Sequence, residues 1–163
     1  MKIFITGGAG YIGSHVSLQL LNAGHKITIY DDLSLSSLKN IDKRAKFIKG
    51  STLDISLLEK SLSDDIDLVI HLAGYKAARE SMETPSKYSN NNINGSINLL
   101  NAMGKHGIKK IIFSSTAAVY GNPSYLPIDE NHSLDPFNFY GYTKLVIEDF
   151  IKWYGKLEKI NYV

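Results

Sequence analysis

The 163-residue chain has no cysteine, one tryptophan, three methionines and four prolines. Without cysteine there is no disulfide framework and no thiolate metal site, so the fold has to rest on packing, and no metal is expected. An excess of charge is missing too: 18 basic against 16 acidic side chains leave a formal +2. The two small basic clusters, Lys43, Arg44 and Lys46, and Lys105, His106, Lys109 and Lys110, lack the density and interleaved aromatics of a nucleic-acid surface. No apolar run approaches the ~20 residues that cross a bilayer. The first residues read as a strand and not as a signal peptide. The expectation is a cytoplasmic protein without nucleic-acid or membrane partners. Its length suits one domain, residues 1–163, with a real core.

What is present starts at once. Lys2-Ile3-Phe4-Ile5-Thr6 runs into Gly7-Gly8-Ala9-Gly10-Tyr11-Ile12-Gly13, and then into a helical pattern carried by Ile12, Val16, Leu20 and Leu21. Glycines at this spacing between a strand and a helix build a pyrophosphate cradle. Gly7 permits the tight turn, Gly10 lets a phosphate approach the backbone, and Gly13 lets the helix pack on the sheet. The helix start near Tyr11 offers free N–H groups and a positive dipole end to an anion. A second strand, Lys26-Ile27-Thr28-Ile29-Tyr30, ends at Asp31, 18 residues beyond Gly13. A carboxylate there accepts both ribose hydroxyls and repels a 2′-phosphate, which predicts NAD over NADP by about tenfold or more.

Strand and helix signals then alternate. Strands are expected at 45–49, 67–71 and 110–114, and a short helix at 54–62. A longer helix runs from Pro85 toward Gly104, with Thr84 as N-cap. A loop over 115–138 holds three of the four prolines, and a last helix covers 140–154. Repeated βα units predict an α/β, doubly wound parallel Rossmann sheet of order 3-2-1-4-5, with ligands at the carboxyl ends of the strands.

The last helix carries Tyr140 and Lys144 at i and i+4, on one face. An ammonium about 5 Å from a phenol, at an effective dielectric near 20, favours phenolate by roughly 3 kcal/mol and moves a tyrosine from about 10 toward 8. Such a phenol can take a proton from a sugar hydroxyl near neutral pH. One hydroxyl of Ser114-Ser115-Thr116, at the end of a strand, could bridge substrate and phenol. On the same helix Val146, Ile147, Phe150, Ile151, Trp153 and Tyr154 span roughly 160°, more than one sheet contact needs, which suggests a second buried face.

The blocks Thr6-Gly7-Gly8-Ala9-Gly10-Tyr11-Ile12-Gly13-Ser14-His15, Ser115-Thr116-Ala117-Ala118-Val119-Tyr120-Gly121 and Tyr140-x-x-x-Lys144 resemble the extended short-chain dehydrogenase/reductase superfamily. Within it, His71-Leu72-Ala73-Gly74-Tyr75-Lys76-Ala77-Ala78-Arg79-Glu80-Ser81 is similar to the corresponding block of the UDP-glucose 4-epimerases. Asn90 to Gly95 and Leu126 to Glu130 fit as well. Sugar-nucleotide dehydratases carry Asp-Glu where this chain has Ala117-Ala118. The resemblance implies epimerisation at C4 of a UDP-hexose, with tightly held NAD. Tyr140 would be the base, Thr116 the partner of the reacting oxygen, and Lys144 a ligand of the nicotinamide ribose. It also implies cofactor contacts from Lys76, Asn92, Ala73 and Gly74, pyrophosphate contacts from Tyr11 and Ile12, and a homodimer built on the last helix.

Three differences from the family stand out. Ser51 takes the place of the aspartate that binds the adenine amino group. Asp32 and Leu35 replace asparagines, and Phe139 replaces a proline. Family members also continue into a smaller carboxyl-terminal domain that holds the UDP-sugar, whereas this chain ends at Asn161-Tyr162-Val163, inside what reads as a sixth strand. The expectation is an amino-terminal NAD-binding domain without its substrate domain, with little epimerase activity alone. Two other readings stay open at this point: an NAD-dependent oxidoreductase or dehydratase on another nucleotide sugar, and a non-catalytic NAD-binding module.

Overall fold

Strand β1 (Lys2–Thr6) is buried at every position after Lys2. A strand apolar on both faces belongs in the middle of a parallel sheet covered on both sides. That is its place in the computed structural model, which describes residues 1–163. The sheet also contains β2 (Lys26–Asp31), β3 (Lys46–Lys49), β4 (Leu68–His71), β5 (Lys110–Phe113) and β6 (Asn161–Tyr162), in the order β3-β2-β1-β4-β5-β6. Every pairing is parallel. The strand order reverses between β1 and β4, and in doubly wound sheets the crevice at that reversal takes the ligand.

Alternation along β1 divides the interior. Ile3 and Ile5 pack with Ile27, Ile29 and Ile70 on the face covered by α1 (Tyr11–Asn22). Phe4 points the other way, into a larger core with Leu58, Leu99, Leu100, Met103, Ile147 and Ile151. Those residues come from α2 (Ile55–Ser61), α5 (Gly95–Lys105) and α6 (Phe139–Glu158). Asp54 caps α2 through Leu57 N at 3.0 Å, and Asn138 caps α6 through Gly141 N at 2.8 Å.

The structure departs from the expected elements in four respects. A short helix, α3 (Ala78–Glu83), precedes the long one. Thr84 holds the expected N-cap position before Pro85, but its side chain makes no capping bond: the hydroxyl turns back and donates to Glu80 O at 3.0 Å. The run from Pro85 is also not uniform. It is α4 (Pro85–Tyr88), then a π turn over Ser89–Asn94, then α5. The π turn coincides with the buried side chain of Asn92, whose amide is bound on all sides by other elements, and π turns arise where such a demand distorts the helical ladder. Finally, α6 reaches Glu158, four residues past the expected end, and stops where Lys159 takes a left-handed conformation with φ of 59°. Of its broad apolar arc Ile147 and Ile151 are buried in the core and Tyr154 packs against it, while Phe150, Trp153 and Leu157 face solvent. No helix is long and apolar enough to cross a membrane.

Candidate functional site

The turn out of β1 needs glycine twice. Gly7 has φ of +70°, and a Cβ there would stand 2.6 Å from Ala73 N. A Cβ at Gly13 would overlap Gly7 O and lie 2.6 Å from Gly8 Cα, so α1 packs on the turn only because that side chain is missing. The cap of α1 is Gly10, which has no side chain to bond the first turn. The N–H groups of Tyr11, Ile12 and Gly13 therefore have no acceptor within the chain. A 12-residue helix thus aims three free donors and its positive end at one point.

That point lies in a cleft of about 240 Å³ at the carboxyl ends of β1, β2 and β4. Gly7, Gly10, Tyr11, Ile12 and Gly13 form one wall. Asp31, Ser51, Ala73, Gly74 and Lys76, expected from the sequence as cofactor residues, line the same space. Asp31 is nearly buried. Its Oδ2 accepts from Ala9 N at 3.0 Å, and its Oδ1 from Leu33 N at 2.9 Å and Ser36 Oγ at 2.7 Å. With two donors already on Oδ1, the carboxylate's open acceptor capacity is on Oδ2. Ser51 Oγ accepts from Leu53 N at 3.2 Å, and Ser51 O accepts from the Tyr30 hydroxyl at 2.9 Å. Burial, with Asp54 and Asp32 adding to it, pushes the Tyr30 phenol up to about 12, so it stays a donor. Lys76 is exposed and unpaired at the rim.

Asn92 differs from its expected role. It is 2% exposed and lies under the cleft instead of lining it. Its Oδ1 accepts from Tyr75 N at 2.8 Å, and its Nδ2 donates to Tyr75 O at 3.0 Å and Thr143 Oγ1 at 3.2 Å. The amide ties the loop after β4 to two helices. Leu72, Tyr75 and Asn91 line the cleft beside it and were not foreseen.

The Tyr140, Lys144 and Thr116 set sits next to this cleft, outside its lining. Lys144 is 5% exposed, and its Nζ donates to the backbone oxygen of Ser114, a cleft residue, at 2.8 Å. The ammonium also lies 4.6 Å from the centroid of the Phe113 ring. No hydrogen bond joins it to the Tyr140 phenol; its hydrogen-bond acceptor is the Ser114 carbonyl. Burial pushes the Lys144 amine down to about 8, against the pull of the Glu148 carboxylate one turn on. Thr116 Oγ1 accepts from Ala118 N at 3.2 Å. The half-buried Tyr140 is pinned by its backbone: its N–H donates to Ser81 Oγ at 2.9 Å, and its oxygen accepts from Thr143 Oγ1 at 2.7 Å. Its phenol oxygen has no partner within the chain.

Two supporting residues escaped the sequence reading. Glu148 accepts from Ser115 Oγ, and its place four residues after Lys144 was a usable signal. Ser81 is fully buried between Ala78 O and Tyr140 N, a contact across 59 residues that no local pattern announces.

The low Lys144 pKa gives a stability test. Between about 8 and the ordinary lysine value of 10.5 the unfolded chain holds a proton that the folded chain lacks, so stability rises with pH across that window. Below it, the full penalty of the buried charge acts. Lys144→Met is expected to stabilise the fold at pH 7 by on the order of 1–2 kcal/mol, an advantage that shrinks toward pH 10.5. Urea unfolding of both proteins at several pH values measures this. An equal or less stable variant at pH 7 contradicts it.

Comparison with known proteins gives one consistent result. The profile of the family described as "NAD dependent epimerase/dehydratase family" matches residues 3–163. A UDP-glucose 4-epimerase of Lactobacillus helveticus is 43% identical over 163 residues, covering 99% of this chain and 49% of that protein. One of Bacillus subtilis is 45% identical over 161 residues, covering 93% and 47%. The crystal structure of UDP-glucose 4-epimerase from Brucella ovis in complex with NAD superposes with a TM-score of 0.96 at 36% identity, over 99% of this chain and 50% of that one. The chain spans about half the length of the curated relatives it matches.

Proposed function

The chain belongs to the NAD dependent epimerase/dehydratase family, and we propose that residues 1–163 are the NAD-binding domain of a UDP-glucose 4-epimerase. One observation carries this reading: the three free N–H groups of α1 face a cleft whose far wall is the pre-oriented Asp31, and Lys144 reaches that cleft through Ser114. Those groups suit a dinucleotide. The N–H groups of Tyr11, Ile12 and Gly13 would hold the pyrophosphate, Asp31 Oδ2 a ribose hydroxyl, and Ser51 and the Ala73-Gly74 backbone the adenosine side.

Bound NAD would supply a hydride acceptor that returns its hydride to the opposite face of the sugar. The chain's own residues manage the proton. Tyr140, free of intramolecular partners at its oxygen, takes the proton from the C4 hydroxyl of a UDP-hexose and later gives it back. The Thr116 hydroxyl hydrogen-bonds the reacting oxygen. The buried Lys144 ammonium supports the negative charge on the phenol and grips the nicotinamide ribose. The uncovered Phe150, Trp153 and Leu157 of α6 support a homodimer of the full-length protein.

Titration of the purified chain with NAD and NADP is the direct test. NAD is expected to bind at least about tenfold more tightly, because Asp31 repels a 2′-phosphate. Equal affinity for the two, or none for either, contradicts the reading. Adding UDP-galactose to this chain continued by the second half of the Bacillus subtilis relative separates it from a dehydrogenase: an epimerase keeps its cofactor, so NADH released into a protein-free filtrate selects an oxidoreductase instead.

A further inference from the structure

The proposed chemistry makes no use of His71, which is 3% exposed at the end of β4. Its two ring nitrogens are both bonded. Nδ1 lies 2.6 Å from Thr6 Oγ1, its register partner on β1, and Nε2 lies 2.8 Å from Ser96 Oγ on α5. Ser96 Oγ also lies 2.6 Å from the backbone oxygen of Asn92. These contacts admit one direction only. A carbonyl oxygen only accepts, so the Ser96 hydroxyl spends its proton on Asn92 O. Ser96 must then accept from His71 Nε2–H, which leaves Nδ1 bare to accept from the Thr6 hydroxyl. Thr6 Oγ1 in turn faces Ala73 N–H at 3.4 Å.

The two ends of this chain of bonds meet the same segment. At one end Thr6 holds Ala73, whose backbone packs against Gly7. At the other, Asn92 grips both the N–H and the oxygen of Tyr75. Ala73, Gly74 and Tyr75 are the floor of the cleft between the two anchors. We propose that His71 is a positioning residue for the dinucleotide: as a neutral Nε2–H tautomer it links Thr6 to Ser96 and Asn92, so that the floor segment 73–75 is held at both ends in the geometry that receives the cofactor. The inference rests on the NAD-binding reading above.

Two features agree with this role. A cation at His71 would make Thr6 Oγ1 accept from Nδ1–H as well as from Ala73 N–H, and the buried Thr6 hydroxyl proton would then have no acceptor. Burial, with the nearby Lys144 charge adding to it, pushes the His71 imidazole down to about 3. Phe113 stacks on the imidazole, with centroids 5.7 Å apart, and the Lys144 ammonium lies 4.6 Å from the centroid of the same ring.

The experiment compares Thr6→Val, His71→Phe, Ser96→Ala and the double variant Thr6→Val/Ser96→Ala, at a temperature where all are folded by circular dichroism. Each single variant is expected to weaken NAD binding by about tenfold. The double variant should lose far less than the product of the two singles, because Thr6 and Ser96 act through one imidazole. His71→Gln, which keeps an N–H donor, should recover part of the affinity. In the unmodified chain, nitrogen NMR should find His71 in the Nε2–H form and untitrated from about pH 8 down to 5. Variants that lose stability yet bind NAD as the parent does overturn the positioning role, as does a His71 that titrates in that range. A parent chain that fails to bind NAD at all overturns the functional reading, and the role with it.

Discussion

Gly7→Ala is expected to destabilise the fold by about 3 kcal/mol, a large part of the 5–15 kcal/mol that holds a domain together. Two effects add. A non-glycine residue held at φ of +70° is strained by roughly 1–2 kcal/mol. Its Cβ would also stand 2.6 Å from Ala73 N and 2.8 Å from both Ala73 Cα and Leu72 C. Those are backbone atoms, so no rotamer change relieves the overlap. The loops after β1 and β4 would have to separate, and overpacking of this kind adds about 1–3 kcal/mol. The Leu72 N–H to Thr6 O bond, 3.0 Å long, would stretch with them. Gly10→Ala is the informative partner. Gly10 has an ordinary φ of −71°, and its Cβ would meet only Gly7 O, at 3.3 Å. That chain should fold nearly as the parent does but lose tenfold or more in NAD affinity, because the methyl occupies the approach to the free N–H groups. Urea unfolding and NAD titration of the two variants decide it. Equal stability losses, or a Gly10→Ala chain that binds normally, would contradict this account of the turn.

Tyr140→Phe should lower the rate of UDP-galactose and UDP-glucose interconversion by about 10²–10⁴, the usual contribution of a positioned acid–base group. It should leave stability within about 0.5 kcal/mol of the parent. Both parts follow from the same observation. The phenol oxygen bonds nothing inside the chain, while Ser81 and Thr143 hold the backbone of the residue in place. Removing the oxygen therefore deletes a reactive group without disturbing a structural one. The rate is measured on this chain continued by the second half of the Bacillus subtilis relative, and stability on the 163-residue chain itself. A phenylalanine variant within threefold of the parent rate would remove Tyr140 from the chemistry. A variant that unfolds would mean that the phenol has a structural role after all.

Residues close in sequence made most of the fold legible. The strand-turn-helix of residues 2–22 needs only an apolar run, glycines where no Cβ fits and an amphipathic continuation. The doubly wound order follows from repeated βα units, and β6 extends it by pairing with β5 in parallel. Differences from the sequence reading collected where another contact claimed a polar side chain. Thr84 has the chemistry of an N-cap, yet its hydroxyl closes the preceding turn on Glu80 O. Asn92 has the chemistry of a ligand-binding amide, yet Tyr75 and Thr143 consume it. The long helix is interrupted at that same residue, because an amide that must reach another loop cannot also keep an even ladder.

By itself the sequence determined which groups the chain carries: a glycine turn between a strand and a helix, an acid at the end of the second strand, a phenol and an ammonium one helical turn apart. These are properties of residue type and short spacing, and a chain displays them before it folds. Only the tertiary structure decided how far each group is free to act. It placed three donors of α1 without acceptors, set two donors on one oxygen of Asp31 and one on the other, and seated the Lys144 ammonium on the Ser114 carbonyl. It also joined Thr6, His71 and Ser96, residues up to 90 positions apart, into one directed line of hydrogen bonds. A hydrogen-bonding group has a fixed number of lone pairs and protons, and what remains for a ligand depends on neighbours that only folding brings within 3 Å.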